Sequence, residues 1–128
     1  MNLEHRRILL VEDEYMLARD MKNELRDVGA VVLGPEGSVA QALQRVTAEP
    51  KIDAAVLDVN LGGEMSFQVA DALQVRRVPF VFSTGYEDTV TQDRYPGVAK
   101  CDKPLDMHAL MKVLQELIAG QQTESAVR

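Results

Sequence analysis

The chain has 128 residues, a net charge of −6, 46% hydrophobic residues and one cysteine. That is one domain's length with enough apolar material for a core, and the acidic balance argues against direct binding to nucleic acid phosphates. A lone cysteine excludes a disulfide framework and suits a reducing compartment; with no secretory or membrane-spanning run, the expected location is the cytoplasm.

Apolar runs alternate with amphipathic stretches, the pattern of an α/β domain with a parallel sheet. Residues 7–12 read as a first strand, ending in Glu12 and Asp13. Residues 14–28 read as a helix with Leu17, Ala18, Met21, Leu25 and Val28 on one face and Gly29 as its stop. Residues 30–33 form a short second strand, and Gly34-Pro35-Glu36-Gly37 a loop. Ser38, with Gln41 three residues on, resembles a capping box opening a second helix that buries Val39, Ala42, Leu43 and Val46. Residues 53–58 are the third strand, ending in Asp58; Gly62-Gly63 follows as a turn or a phosphate cradle, and residues 66–75 as a helix with Val69, Ala70 and Leu73 inward. Residues 79–84 are the fourth strand, opened by Pro79 and closed by Thr84. Residues 85–97 show little apolar periodicity and are expected to hold at most a short helix with few buried contacts. Residues 98–101 form a fifth strand, followed by Lys103. Asp106 caps a last helix on Leu110, Val113, Leu114, Leu117 and Ile118, and the domain, 1–120, leaves a polar tail, 121–128, expected to be flexible.

Open α/β sheets bind ligands at the carboxyl ends of their strands. There Glu12, Asp13, Asp58, Thr84 and Lys103 converge. The set suits phosphoryl transfer to a carboxylate: Asp58 as nucleophile, Lys103 as cation and Thr84 as hydroxyl donor. Glu12, Asp13, Asp58 and a backbone carbonyl near Asn60 supply oxygens for Mg²⁺. Bland readings stand beside these. Asp13 or Glu14 is placed to cap the first helix, Thr84 suits any strand, Lys103 suits a surface turn, and Cys101 reads as a small buried hydrophobe.

Four segments in this order, Leu9-Leu10-Val11-Glu12-Asp13-Glu14, Ala55-Val56-Leu57-Asp58-Val59-Asn60-Leu61, Val81-Phe82-Ser83-Thr84-Gly85 and Lys103-Pro104-Leu105, resemble the receiver domain of two-component response regulators over residues 6–119. The resemblance implies a doubly wound, flavodoxin-like sheet of order 2-1-3-4-5 with a short or poorly formed fourth helix. It implies that Asp58 accepts a phosphoryl group from a histidine kinase or histidine phosphotransfer protein. Glu12, Asp13, Asp58 and the Asn60 carbonyl would hold Mg²⁺, Thr84 and Lys103 would contact the phosphoryl oxygens, and the Lys103–Pro104 bond would be cis. Output would run through protein contacts or as a phosphate sink. Phe82-Ser83-Thr84-Gly85-Tyr86 is similar to the Phe-Ala-Thr-Gly signature of a stand-alone subfamily, with Ser83 in place of alanine. The family's fifth strand usually carries an aromatic residue two or three positions before the lysine, where this chain has Cys101 and Lys100. Without that ring, the expected switch is ordering of the Gly85–Gly97 segment on phosphorylation. Two further readings are a pseudo-receiver that binds protein without phosphorylation, for which the intact acid, hydroxyl and lysine set has no use, and a small aspartyl-phosphate phosphatase. The latter needs an acid two residues after its nucleophile, where this chain has Asn60.

Overall fold

The computed structural model describes residues 3–85 and 90–127, with side chains as far as Gln121 in the last helix. In chain order the elements are β1 (Arg7–Val11), α1 (Tyr15–Asp27), β2 (Val31–Glu36), α2 (Val39–Ala48), β3 (Ala54–Asp58), β4 (Asn60–Leu61), β5 (Glu64–Met65), α3 (Phe67–Val75), β6 (Phe80–Thr84), α4 (Val90–Arg94), β7 (Ala99–Asp102) and α5 (Met107–Val127). The main sheet is parallel, ordered β2-β1-β3-β6-β7. Counting only those five strands, the order is 2-1-3-4-5, the flavodoxin-like arrangement. β4 and β5 form a separate antiparallel hairpin.

Alternation along the buried strands divides the core in two. Leu9, Val11, Ala55, Leu57, Phe80 and Phe82 face one side, where α2 and α3 contribute Val39, Ala42, Val46, Val69, Ala70 and Leu73. Ile8, Leu10, Ala54, Val56 and Val81 face the other, under Met21 and Leu25 of α1 and Leu110, Leu114 and Ile118 of α5. The apolar stripes read from the sequence therefore face the core, with Leu17, Leu43, Val113 and Leu117 partly buried at its margin and Val28 exposed.

Helix ends follow local chemistry. Glu14, not Asp13, caps α1, its carboxylate accepting from Met16 N and Leu17 N. The helix closes with Gly29 at φ +90°, its N–H donating to Arg26 O and that of Ala30 to Leu25 O, a Schellman ending that demands a left-handed residue. Ser38 Oγ accepts from Gln41 N, and Asp106 Oδ1 accepts from Ala109 N.

Three boundaries differ from expectation. β2 continues to Glu36 through the Gly34-Pro35 stretch read as a loop, because a shift in register lets Val11 pair with Glu36 and Glu12 N donate to Glu36 O. α5 is longer than its apolar stripe predicts and takes in part of the stretch read as a tail; Gln121 Nε2 donates to Arg77 O. The segment expected to make few buried contacts is packed where it is described: Thr91 and Tyr95 are buried. The Tyr95 ring lies 5.4 Å from Phe82 and 5.6 Å from Phe67, and the Arg94 guanidinium sits 4.4 Å above Phe67. The Tyr95 hydroxyl donates to Asp71 Oδ1 at 2.6 Å. Residues 86–89, the rest of that segment's core, lie outside the described residues. No described helix is long and apolar enough to cross a membrane.

Candidate functional site

The pairing of β1 with β3 puts Val11 opposite Leu57. Glu12 and Asp58, one step further on, therefore leave the sheet side by side. The pairing of β3 with β6 and of β6 with β7 puts Asp58 beside Ser83 and Ser83 beside Cys101. Lys103 follows two residues later on the same side of the sheet. Each strand is too apolar to end in charge inside the core, so the charges collect where the strands run out.

Lys103 Nζ lies 3.1 Å from Asp58 Oδ2 and 3.2 Å from Glu12 Oε1. Asp58 Oδ1 accepts from Asn60 N at 3.3 Å, and Glu12 Oε2 accepts from Glu14 N at 3.0 Å. Asp13 Oδ2 accepts from Gly62 N at 2.8 Å. Glu12 and Asp58 are buried, whereas Asp13 is exposed. The Lys103–Pro104 peptide is cis, as expected; so is Gly34–Pro35, which the sequence reading did not single out. The acids and lysine predicted from sequence are thus brought together. Thr84 is buried at the same edge, but its hydroxyl donates to Asp102 Oδ1 at 3.3 Å.

One oxygen from each of Glu12, Asp13 and Asp58 falls within 4.8 Å of the others. At that separation and an effective dielectric near 20, each ionised pair repels by roughly 3 kcal/mol. One ammonium offsets only part of this. Burial above all pushes the Glu12 carboxyl up to about 7; the Glu14 N–H draws it part of the way back and the Asp58 carboxylate raises it again. Burial pulls Lys103 down, yet Asp58 and then Glu12 outweigh it, so its ammonium is held above its ordinary value. Glu12 Oε1 is buried, with the Lys103 ammonium at 3.2 Å as its counter-charge. Hard oxygen donors and negative charge in excess of the one ammonium fit a divalent cation, and the three carboxylates can coordinate one.

Sequence reasoning missed several neighbours. Asp102 as the Thr84 partner becomes visible only when β6 and β7 are in register. Gly62-Gly63 is the plain turn that the sequence favoured over a phosphate cradle; what stayed hidden is its tie to Asp13, 49 residues away. Ser83 Oγ is buried and has no partner among the described residues; its pairing with Asp58 follows from strand register. Cys101 is half-buried, and burial, with Asp102 and Asp106 nearby, raises its thiol above the usual value.

No family model and no curated protein matches the chain. Solved structures do. The BeF3-activated conformation of SdrG from Pseudomonas melonis Fr1 is 42% identical, covering 88% of this chain and 95% of that one at a TM-score of 0.72. The solution structure of SdrG from Sphingomonas melonis Fr1 is 39% identical over 92% and 99%, TM-score 0.67. A response regulator receiver protein from Sinorhizobium medicae WSM419 is 26% identical over 91% and 97%, TM-score 0.82.

Proposed function

The chain belongs to the receiver domains of response regulators, and we propose that it is a phosphorylation-controlled signalling module in which Asp58 is the phosphoacceptor. The observation that carries this is the placing of Asp58 Oδ2 at 3.1 Å from Lys103 Nζ, with Glu12 and Asp13 beside it. In the reaction an Asp58 oxygen attacks phosphorus in line with the donor's P–N bond. The O–P bond forms, the P–N bond breaks, and its electron pair returns to the imidazole of a histidine kinase or histidine phosphotransfer protein. Chemistry of this kind needs positioning and charge stabilisation more than acid or base catalysis.

Lys103 already faces Asp58 and stays charged, so it is placed to meet the phosphoryl oxygens. Glu12, Asp13, Asp58 and the Asn60 carbonyl would hold Mg²⁺, which when bound supplies the positive charge that the crowded oxygens lack. Thr84 reaches the phosphoryl group by giving up Asp102. The chain transfers no group beyond its own phosphorylation and dephosphorylation, and its output runs through protein contacts or as a phosphate sink. The BeF3-activated state of the 42% identical SdrG supports this reading, since a beryllofluoride on a carboxylate has the tetrahedral shape of a phosphoryl group.

The test is incubation with acetyl phosphate and Mg²⁺, followed by intact mass analysis. One added phosphoryl group is expected, lost on Asp58→Asn and on chelation. Persistent labelling of the Asp58→Asn chain would sink the assignment.

A further inference from the structure

Gly62 and Gly63 form the two-residue turn between β4 and β5, at φ +59° and +90°. Two successive left-handed residues mark the type I′ hairpin turn. A Cβ at Gly62 would meet only Asp13 Oδ2, at 3.8 Å, and one at Gly63 nothing within 4 Å. Space therefore does not demand these glycines; backbone conformation does.

Both turn N–H groups are engaged with residues of the site. Gly62 N donates to Asp13 Oδ2 and Gly63 N to Asn60 Oδ1, each at 2.8 Å. Asp13 is exposed at a strand end, where a carboxylate in water would sample several rotamers; the Gly62 N–H fixes one of its oxygens and so the direction of the other. The Asn60 side chain closes the same turn, while its main chain is held in β4 opposite Met65. Two of the groups assigned to the cation, the Asp13 carboxylate and the Asn60 carbonyl, thus hang on one hairpin.

We propose that the Asn60–Met65 hairpin presets the cation site, with the Asn60 side chain as a positioning residue acting through Gly63, and that this makes the site selective for Mg²⁺ over Ca²⁺. The inference rests on the Mg²⁺ reading above. Mg²⁺ demands near-ideal octahedral geometry with short bonds, whereas Ca²⁺ tolerates longer and irregular ones. Fixed ligands favour the first, and loosened ligands admit the second.

Mg²⁺ and Ca²⁺ affinities measured by calorimetry on the full chain test this. Asn60→Ala and Gly62→Val should each weaken Mg²⁺ by roughly tenfold, the usual scale for groups that orient metal ligands. Ca²⁺ should weaken less, so the preference for Mg²⁺ falls. Gly62→Asn, which suits a left-handed turn and keeps the N–H, should stay within about twofold of the unaltered chain. In an Asp13→Ala background the Gly62→Val effect should shrink to about twofold or less. Unchanged Mg²⁺ affinity and selectivity in Asn60→Ala and Gly62→Val, beside an unaltered chain that binds Mg²⁺, overturns the hairpin's role alone. So does an undiminished Gly62→Val effect without Asp13. An unaltered chain that binds neither cation overturns the Mg²⁺ reading and this inference with it.

Discussion

Replacing Glu12 with glutamine isolates the energetic consequence of a buried charge at the sheet edge. Glu12 is 3% exposed, and burial foremost lifts its carboxyl from 4.5 to about 7. That difference corresponds to roughly 3 kcal/mol. Between the two values the native chain keeps a proton that the unfolded chain has released. The native state then binds more protons, so stability falls as pH rises. The contribution is fully present below 4.5 and lost above about 7. The Glu12→Gln chain has no such window, and all other titrating groups are common to both, so the difference between the two chains reports Glu12. Urea unfolding in a chelator should show the unaltered chain losing about 2–3 kcal/mol relative to Glu12→Gln between pH ~4.5 and ~8. Adding Mg²⁺ at the upper pH should return most of that to the unaltered chain, since the cation binds only the native state. Parallel stability curves for the two chains would refute the reasoning.

Three other perturbations probe the same edge. Lys103→Met leaves Asp58 and Glu12 without their facing ammonium and should destabilise the metal-free protein by on the order of 2 kcal/mol near neutral pH, less where Glu12 is protonated; an equal loss at both pH values counts against the cluster. Asp102→Ala removes the acceptor that holds the Thr84 hydroxyl and should lower stability by about 1 kcal/mol or less while raising the apparent affinity for beryllofluoride, read by calorimetry; unchanged affinity would show that Asp102 does not compete for Thr84. Tyr95→Phe should cost about 1 kcal/mol through the lost bond to Asp71 and Tyr95→Ala about 3 kcal/mol or more, both read by urea unfolding; equal effects would mean that the ring contributes nothing beyond its hydroxyl.

The sheet order and the central acids were legible because each strand is a short apolar run that stops at a polar residue. Alternation then assigns Glu12, Asp58 and Lys103 to one side without any knowledge of contacts. What stayed hidden depends on register between segments distant in sequence. Gly62 and Asp13 are 49 residues apart, and Thr84 finds Asp102 only because β6 and β7 align them. The short helix after β6 was legible, but the packing of its segment was misjudged for another reason. Apolar periodicity counts Val, Leu and Ile, but a single tyrosine can fill a core position while its hydroxyl reaches an acid on another helix. Tyr95 does so, and an isolated aromatic in a polar stretch leaves no periodic trace.

That tyrosine bears on how the edge communicates with the rest of the fold. β7 carries Lys100 and Cys101 where a ring would ordinarily stand, yet an aromatic cluster does exist on the α3 side of the sheet. Phe80 and Phe82 supply it from β6, Phe67 from α3, and Tyr95 from the residue after α4. Phe82 lies two residues before Thr84 on the same strand and, by alternation, on the same side of it. On the proposed reading, Thr84 exchanges Asp102 for a phosphoryl oxygen. The strand carrying that exchange packs its next inward ring against Tyr95, and Tyr95 is bound to Asp71 of α3. On that reading the mechanical path from the edge would run down β6 into the α3–α4 side of the domain, rather than sideways across β7. Interior packing is close and transmits strain, so on that reading a change at Thr84 would reach the surface around Tyr95 and Arg94 through the Phe82–Tyr95 contact.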